Sequence, residues 1–202
     1  MKLYDFAGAP NPKKVRVYLA EKGITVPTEQ VNIVSGENRT PEFLKKNPFG
    51  TLPVLELDDG SYLTESLAIM EYFEELHPKP PMIGTAPLER ARVRELERIA
   101  DLGVFLRVAT IFQNTHPFMA NRLKQSADTA DNARNQLATF LKVIDGRIGS
   151  HPFVAGERPS IADCTLLAAL NFAEFAQVQI DPGCTNVARW YSSFKQRPSA
   201  QA

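Results

Sequence analysis

The chain has 202 residues, of which 44% are apolar and 23% charged, ordinary values for a folded globular protein with a sizeable core. Lys and Arg total 23 and Asp and Glu total 23, so the formal net charge is +0. That balance offers no basic block for a nucleic-acid backbone or a membrane surface, and no apolar run is long enough to cross a bilayer as a helix.

Lys2–Phe6 reads as a strand. It takes the place where a signal peptide would carry its apolar region, so a cytoplasmic protein is expected. Ala7-Gly8-Ala9-Pro10 is a loop. Asn11 reads as an N-cap and Pro12 as a first helical residue. Val15, Tyr18 and Leu19 then mark a helix face that Gly23 stops. Val26–Val34 reads as a second strand, and Thr40-Pro41-Glu42 opens a short helix through Lys45. Two further strands, Val54–Leu57 and Ser61–Leu63, flank an Asp-Asp-Gly turn in which Gly60 supplies a positive φ. A helix opens at Thr64-Glu65-Ser66, with Leu67, Met70, Phe73 and Leu76 along one side.

His77–Pro87, with four prolines and a glycine, reads as a linker. Everything beyond it is helical. One long helix runs from Leu88 to about Phe112 and is apolar nearly all round in its second half. Asn114–Met119 interrupts it, and Ala127–Ile148 follows. A very apolar helix starts with a capping pattern at Ser160…Asp163 and ends at Phe175, and a last one covers Asn186–Lys195. Cys164 and Cys184 lack redox or metal-site spacing and are expected as free thiols, Cys164 buried. His77, His116 and His151 are scattered, and no metal site is expected.

The chemistry concentrates in N-P-F-G-T-L-P-V-L-E-L-D-D-G-S-Y-L-T-E-S, residues 47–66. Pro53 can begin a strand but not lie inside one, and an X-Pro bond is where a cis peptide is accessible. A cis Leu52–Pro53 bond would turn the Leu52 N–H and C=O away from the sheet, toward an extended peptide. Glu65-Ser66 opens a helix whose free N–H groups and hydroxyl suit a carboxylate, while Glu65 suits an ammonium group. A short peptide with a free amino-acid end fits both features.

Leu-Pro-Val-Leu followed by Glu-Ser at a helix start resembles the thioredoxin-fold half of the glutathione transferases, and the likeness extends along nearly the whole chain. The resemblance implies an α/β thioredoxin-like N-terminal domain (βαβαββα) over 1–77, a linker over 78–87 and an all-α C-terminal domain over 88–202. It implies a homodimer that uses glutathione as co-substrate without a metal or redox cofactor. Glu65 and Ser66 would hold the γ-glutamyl end, the Leu52 backbone beside Pro53 the cysteinyl unit, and Arg39 the glycyl carboxylate. The Ser160…Asp163 pair resembles the family's structural cap. An acidic residue near Asp101 can reach the partner's glutathione in that family, although Asp101 itself reads as a surface or capping carboxylate.

Ala9 stands where many members carry Ser, Tyr or Cys against the glutathione sulfur, so the chain resembles the atypical bacterial and fungal branch. The thiolate would then rest on the helix that starts near Asn11, with a water held by Asn11 or His116. Phe6, Ala9, Phe112 and Phe118 would line a pocket for a hydrophobic electrophile. Two other readings share this frame. One is a non-catalytic interaction or stress-response module. The other is a glutathione-dependent peroxidase or thiol-exchange enzyme, which a first loop without cysteine disfavours.

Overall fold

The computed structural model describes residues 1–202. Its N-terminal part runs β1 (Lys2–Asp5), α1 (Pro10–Lys22), β2 (Thr28–Gln30), α2 (Pro41–Leu44), β3 (Val54–Glu56), β4 (Tyr62–Thr64) and α3 (Ser66–Leu76). The sheet order is β2-β1-β3-β4, with β1 and β2 parallel and the other pairs antiparallel. Tyr4 lies opposite Val54, and Val54 opposite Thr64. The two-residue period of the strands sorts side chains by face. Leu3 and Leu55 join the main core with α1 and α3. Tyr4, Val54 and Leu52 pack instead with Phe43 of α2.

The helical part contains α4 (Pro87–Arg98), a π-helical segment Ile99–Phe105, α5 (Leu106–Thr115), α6 (Ala127–Ile148), α7 (Ile161–Phe175) and α8 (Thr185–Phe194). The expected long helix is thus α4, a wider π turn and α5 in one run. Its second half is not buried all round: Val108, Ile111 and Phe112 face the core, while Leu102 and Leu106, one turn apart, are exposed. Gly103 has a steric reason, because a Cβ there would run into the Phe140 ring of α6.

Three expected boundaries shift for local reasons. The second strand is short because the Asn32 side chain accepts the N–H groups of Val34 and Ser35, turning the chain away after Val31. The hairpin strands move by a residue because Leu57 donates its N–H to Ser61 across the turn. Asn11 is not an N-cap. The helix begins at Pro10, Ala9 takes the extended capping position, and no side chain caps it.

The two parts share one apolar core, and α1 lies between them. Three buried polar groups brace the assembly, the first across the linker, the second within the helical part and the third between the two parts. Glu74 of α3 accepts hydrogen bonds from Tyr18 (2.8 Å), Lys22 (2.6 Å) and the Met82 N–H (2.8 Å), which pins the linker to α1. Asp163, fully buried, accepts from Ser160, the Val154 N–H and Trp190, and burial raises its pKa to about 6. Lys14 of α1, 1% exposed, donates to Asp101 at 2.5 Å and sits 4.0 Å from the Phe105 ring centroid. Asp101 is therefore an inter-domain partner of Lys14, held also by Arg98 at 2.9 Å.

Glu97 completes this cluster, hydrogen-bonded to Thr165 at 3.1 Å. Burial, and then the charge of Asp101, push its pKa up to about 7. The folded state therefore holds a proton that the unfolded chain has released by about pH 5. Stability from this group is complete below the unfolded value and is lost as pH rises toward 7. Glu97→Gln keeps the hydrogen-bonding shape without the charge. Its melting temperature should exceed the wild type's at pH 8 and converge with it near pH 5; parallel curves across that range would contradict the assignment.

Candidate functional site

The first loop, the segment before β3 and the start of α3 meet at the N-terminal end of α1. Asn47 organises the approach to β3: its amide donates to the Thr51 carbonyl and hydroxyl, both at 2.8 Å. Gly50 has φ +60°, and a Cβ there would lie 2.7 Å from both the Asn38 carbonyl and the Arg39 guanidinium. The following Leu52–Pro53 bond is cis, as is Lys79–Pro80. The Leu52 side chain is buried, but its N–H and C=O make no hydrogen bond within the chain.

Glu65 adopts φ +68° just before α3, a left-handed conformation in a residue with a side chain. Such a conformation costs about 1–3 kcal/mol and persists where the surroundings impose it. The Glu65 carboxylate is exposed and makes no ion pair, whereas Ser66 is buried at the first turn of α3, where backbone N–H groups lack helical partners.

Three cavities adjoin here, with lining residues in common. The first, ≈ 140 Å³, is bounded by Asn11, Thr51, Leu52, Pro53, Glu65 and Ser66. The second, ≈ 240 Å³, shares Asn11, Thr51 and Leu52 and adds Ala9, Pro10 and Arg39. The third, ≈ 430 Å³, shares Ala9 and Pro10 and opens toward α7, where Asn171, Phe172 and Phe175 form its far wall. Asn11 thus faces the first two cavities, and Ala9 lines both the second and the third. A larger cavity of ≈ 540 Å³ lies apart, between α5, α6 and the loop after α7.

The expected site residues fall into two groups. Leu52, Pro53, Glu65, Ser66, Asn11, Arg39 and Ala9 line the adjoining cavities. Arg39 donates to the Phe49 carbonyl at 2.9 Å and keeps its charge on an exposed guanidinium. Phe6, Phe112, Phe118 and His116 stand outside the lining. Phe6 packs beside Gly8 and under the sheet. Phe112 backs Phe172 and Phe175, with ring centroids 5.2 and 5.8 Å away. His116 stacks on Phe112 at 4.6 Å, and its Nδ1 accepts the Phe118 N–H. Phe118 is exposed beneath Arg122. The apolar wall comes from α7, whose largely apolar sequence gives no sign of which side faces a cavity.

The start of α1 is also leaner in donors than its position suggests. Pro10 and Pro12 have no N–H, and the Ala9 N–H is used by the Phe6 carbonyl at 2.9 Å. In the first turn, before Lys13 closes the first helical bond, one backbone donor remains, Asn11 N–H, beside the uncommitted Asn11 amide. An anion at this helix end meets one asparagine rather than a ring of amides.

Comparisons with known proteins agree with this architecture. A model of the glutathione S-transferase N-terminal domain matches residues 3–81, and one of the C-terminal domain matches residues 108–198. Glutathione S-transferase 2 of Saccharomyces cerevisiae is 34% identical over 205 residues, spanning 100% of this chain and 88% of its own length. A maleylacetoacetate isomerase of Pseudomonas aeruginosa is 31% identical over 90% of this chain and 85% of its own. The crystal structure of a glutathione S-transferase domain-containing protein from Marinobacter aquaeolei superposes with a TM-score of 0.90 at 36% identity, covering 98% of this chain and 99% of that one. With both family domains in order and likeness along its full length, the chain belongs to the glutathione S-transferase family.

Proposed function

We propose that the protein binds glutathione across the first two cavities and transfers its sulfur to a hydrophobic electrophile held in the third. What supports this reading most is that the three cavities adjoin one another around Ala9–Asn11. Glu65 takes the γ-glutamyl ammonium, and the Ser66 hydroxyl with the start of α3 takes the γ-glutamyl carboxylate. The unused N–H and C=O of Leu52, beside Pro53, pair with the cysteinyl unit as an added strand would. Arg39 meets the glycyl carboxylate. Ala9 leaves room for the sulfur, and glutathione is a co-substrate, so no metal or redox cofactor is needed. The reading carries residues 1–77 as the glutathione-binding domain, 78–87 as the linker and 88–202 as the helical domain of a cytoplasmic homodimer. Exposed Leu102, Leu106 and Phe49 are apolar surface that a second subunit would cover.

The reaction needs thiolate at neutral pH, and a free thiol has a pKa of about 8.5. The end of α1 favours an anion by up to about 2 kcal/mol in a partly buried site. The Asn11 amide and N–H add hydrogen bonds to the sulfur, directly or through a water. His116, behind Phe112 and Phe175, acts at longer range by ordering that wall. Once formed, the thiolate attacks the electrophilic carbon, the C–S bond closes, and the leaving group departs with its electron pair.

Two sets of measurements test this scheme. Glu65→Ala and Ser66→Ala each remove a partner of a charged group, an effect of about 1.5–3 kcal/mol, so calorimetry should find glutathione affinity lowered about ten- to a hundredfold. Unchanged affinity in both variants would sink the assignment. The two side-chain deletions at position 65 should differ from each other in stability: Glu65→Gly should be more stable than Glu65→Ala by about 1 kcal/mol, because glycine accepts positive φ.

The second set follows bound thiolate absorbance against pH. Asn11→Ala should raise the thiol pKa by about one unit while leaving thermal stability near wild type, since Asn11 caps nothing. His116→Ala should slow conjugation only a few-fold and leave glutathione affinity nearly intact. A wild-type thiol pKa and rate in both variants would assign activation to the backbone and helix end alone.

A further inference from the structure

Four polar side chains line the third cavity, Lys13, Arg16, Asn171 and Gln201, and three of them donate to groups of the chain itself. Lys13 donates to oxygens of Ala200 (2.8 Å) and Ala202 (2.6 Å). Arg16 donates to Asp5 at 2.6 Å and to the Ala7 carbonyl at 2.9 Å. The Gln201 amide donates to the Lys195 carbonyl at 2.9 Å. Asn171 differs. Its Oδ1 accepts the Tyr191 hydroxyl of α8 at 2.7 Å, and its Nδ2 donates to no group of the chain.

That hydrogen bond sets a direction. A side-chain amide carries its acceptor oxygen and its donor nitrogen on opposite sides of one carbon, so fixing the oxygen fixes the nitrogen. With Oδ1 turned to α8, Nδ2 is turned away from α8, on the side where Asn171 lines the cavity. Beside it stand Phe172 and Phe175, their ring planes 20° apart and their centroids 6.4 Å apart. We infer that Asn171 is a specificity-determining residue of the transfer. The electrophile it selects is an aryl compound with an acceptor, a carbonyl or nitro oxygen, at the far end of the conjugated system from the carbon attacked. The ring lies against the two phenylalanines, the reactive carbon faces Ala9 on the other wall, and Nδ2 donates to the acceptor. Attack by the thiolate spreads negative charge through the ring onto that oxygen, so the hydrogen bond tightens as the C–S bond forms. Tyr191 is the positioning residue that keeps the donor aimed. This inference rests on the transferase reading and adds a substrate class to it.

A matched pair of aryl chlorides tests it: 4′-chloro-3′,5′-dinitroacetophenone and 4-chloro-3,5-dinitrobenzotrifluoride. In each, the thiolate forms a C–S bond at the ring carbon and chloride leaves with the bonding electrons. The two substituents withdraw electrons to a comparable extent, and only the ketone offers an acceptor oxygen opposite the carbon attacked. The readout is the ratio of kcat/KM, ketone over trifluoromethyl compound, divided by the same ratio for the uncatalysed reaction with glutathione. In the wild type this quotient should be about five, a measurement that does not depend on the folding of any variant. It should fall to near one in Asn171→Leu, which keeps the bulk, and in Asn171→Asp, which keeps an acceptor for Tyr191 but lacks the donor. Tyr191→Phe frees the amide to turn, so the quotient should take an intermediate value, with the loss in kcat rather than KM. A wild-type quotient of one, or a quotient unmoved in both Asn171 variants, overturns the inference while leaving the transferase reading in place. Failure of the wild type to conjugate either compound overturns both.

Discussion

A lysine ammonium removed from water needs a counter-charge where it lies, and Lys14 is such a group. Its partner, Asp101, is on the helical part of the chain, so neutralising Lys14 fixes how α1 sits against the π segment. Removing one partner of a buried pair costs about 3–5 kcal/mol because the other charge is left stranded. That is a large share of the stability of an ordinary domain, about 5–15 kcal/mol. The consequence is positional as well as energetic. The start of α1 carries Ala9, Pro10 and Asn11, where the three cavities adjoin, so the ion pair four residues into the helix sets their alignment. Glu74 holds the other end of α1 through Tyr18 and Lys22. The helix is thus pinned at both ends by groups from the two halves.

Much of this was legible from local rules. The Asp-Asp-Gly turn, the proline before β3, the Thr40 cap of α2 and the Ser160…Asp163 cap of α7 each depend on a few neighbouring residues, and each occurs in the structure. Where two local rules compete, the reading loses its precision. Asn11-Pro12 and Ala9-Pro10 are both acceptable helix starts, and the extended backbone at Ala9 selects the latter. The positive φ of Glu65 is invisible in the sequence, since a glutamate rarely adopts it and nothing nearby announces it. The wall built from Phe172 and Phe175 was hidden for a different reason. In a helix buried almost all round, periodicity does not reveal which side meets empty space.

The arrangement at Ala9–Asn11 is sparing of donors. The two prolines that start the helix remove backbone donors from a place where several would otherwise converge. They also fix φ at both positions, so the asparagine between them is held by covalent geometry rather than by a hydrogen bond of its own. An unengaged side chain on a rigid backbone segment suits a group that must meet a ligand atom, because little conformational entropy is lost when it does. Glu65 is another case of a group held in place by its surroundings, with backbone strain as the cost.

Gly103 and Phe140 make a different kind of pair. The ring of one fills the volume that a side chain on the other would need. Histories of change at these two sites therefore favour one direction. Phe140 can be replaced by something smaller while Gly103 stays, at the cost of a void of the kind that lowers stability without blocking folding. The reverse order is the costlier one, because a β-carbon arriving first at position 103 forces an aromatic ring to shift. Related chains that carry a larger residue at this point of the π segment should have passed through a smaller residue on the facing helix, an ordering that reconstruction of ancestral sequences can read.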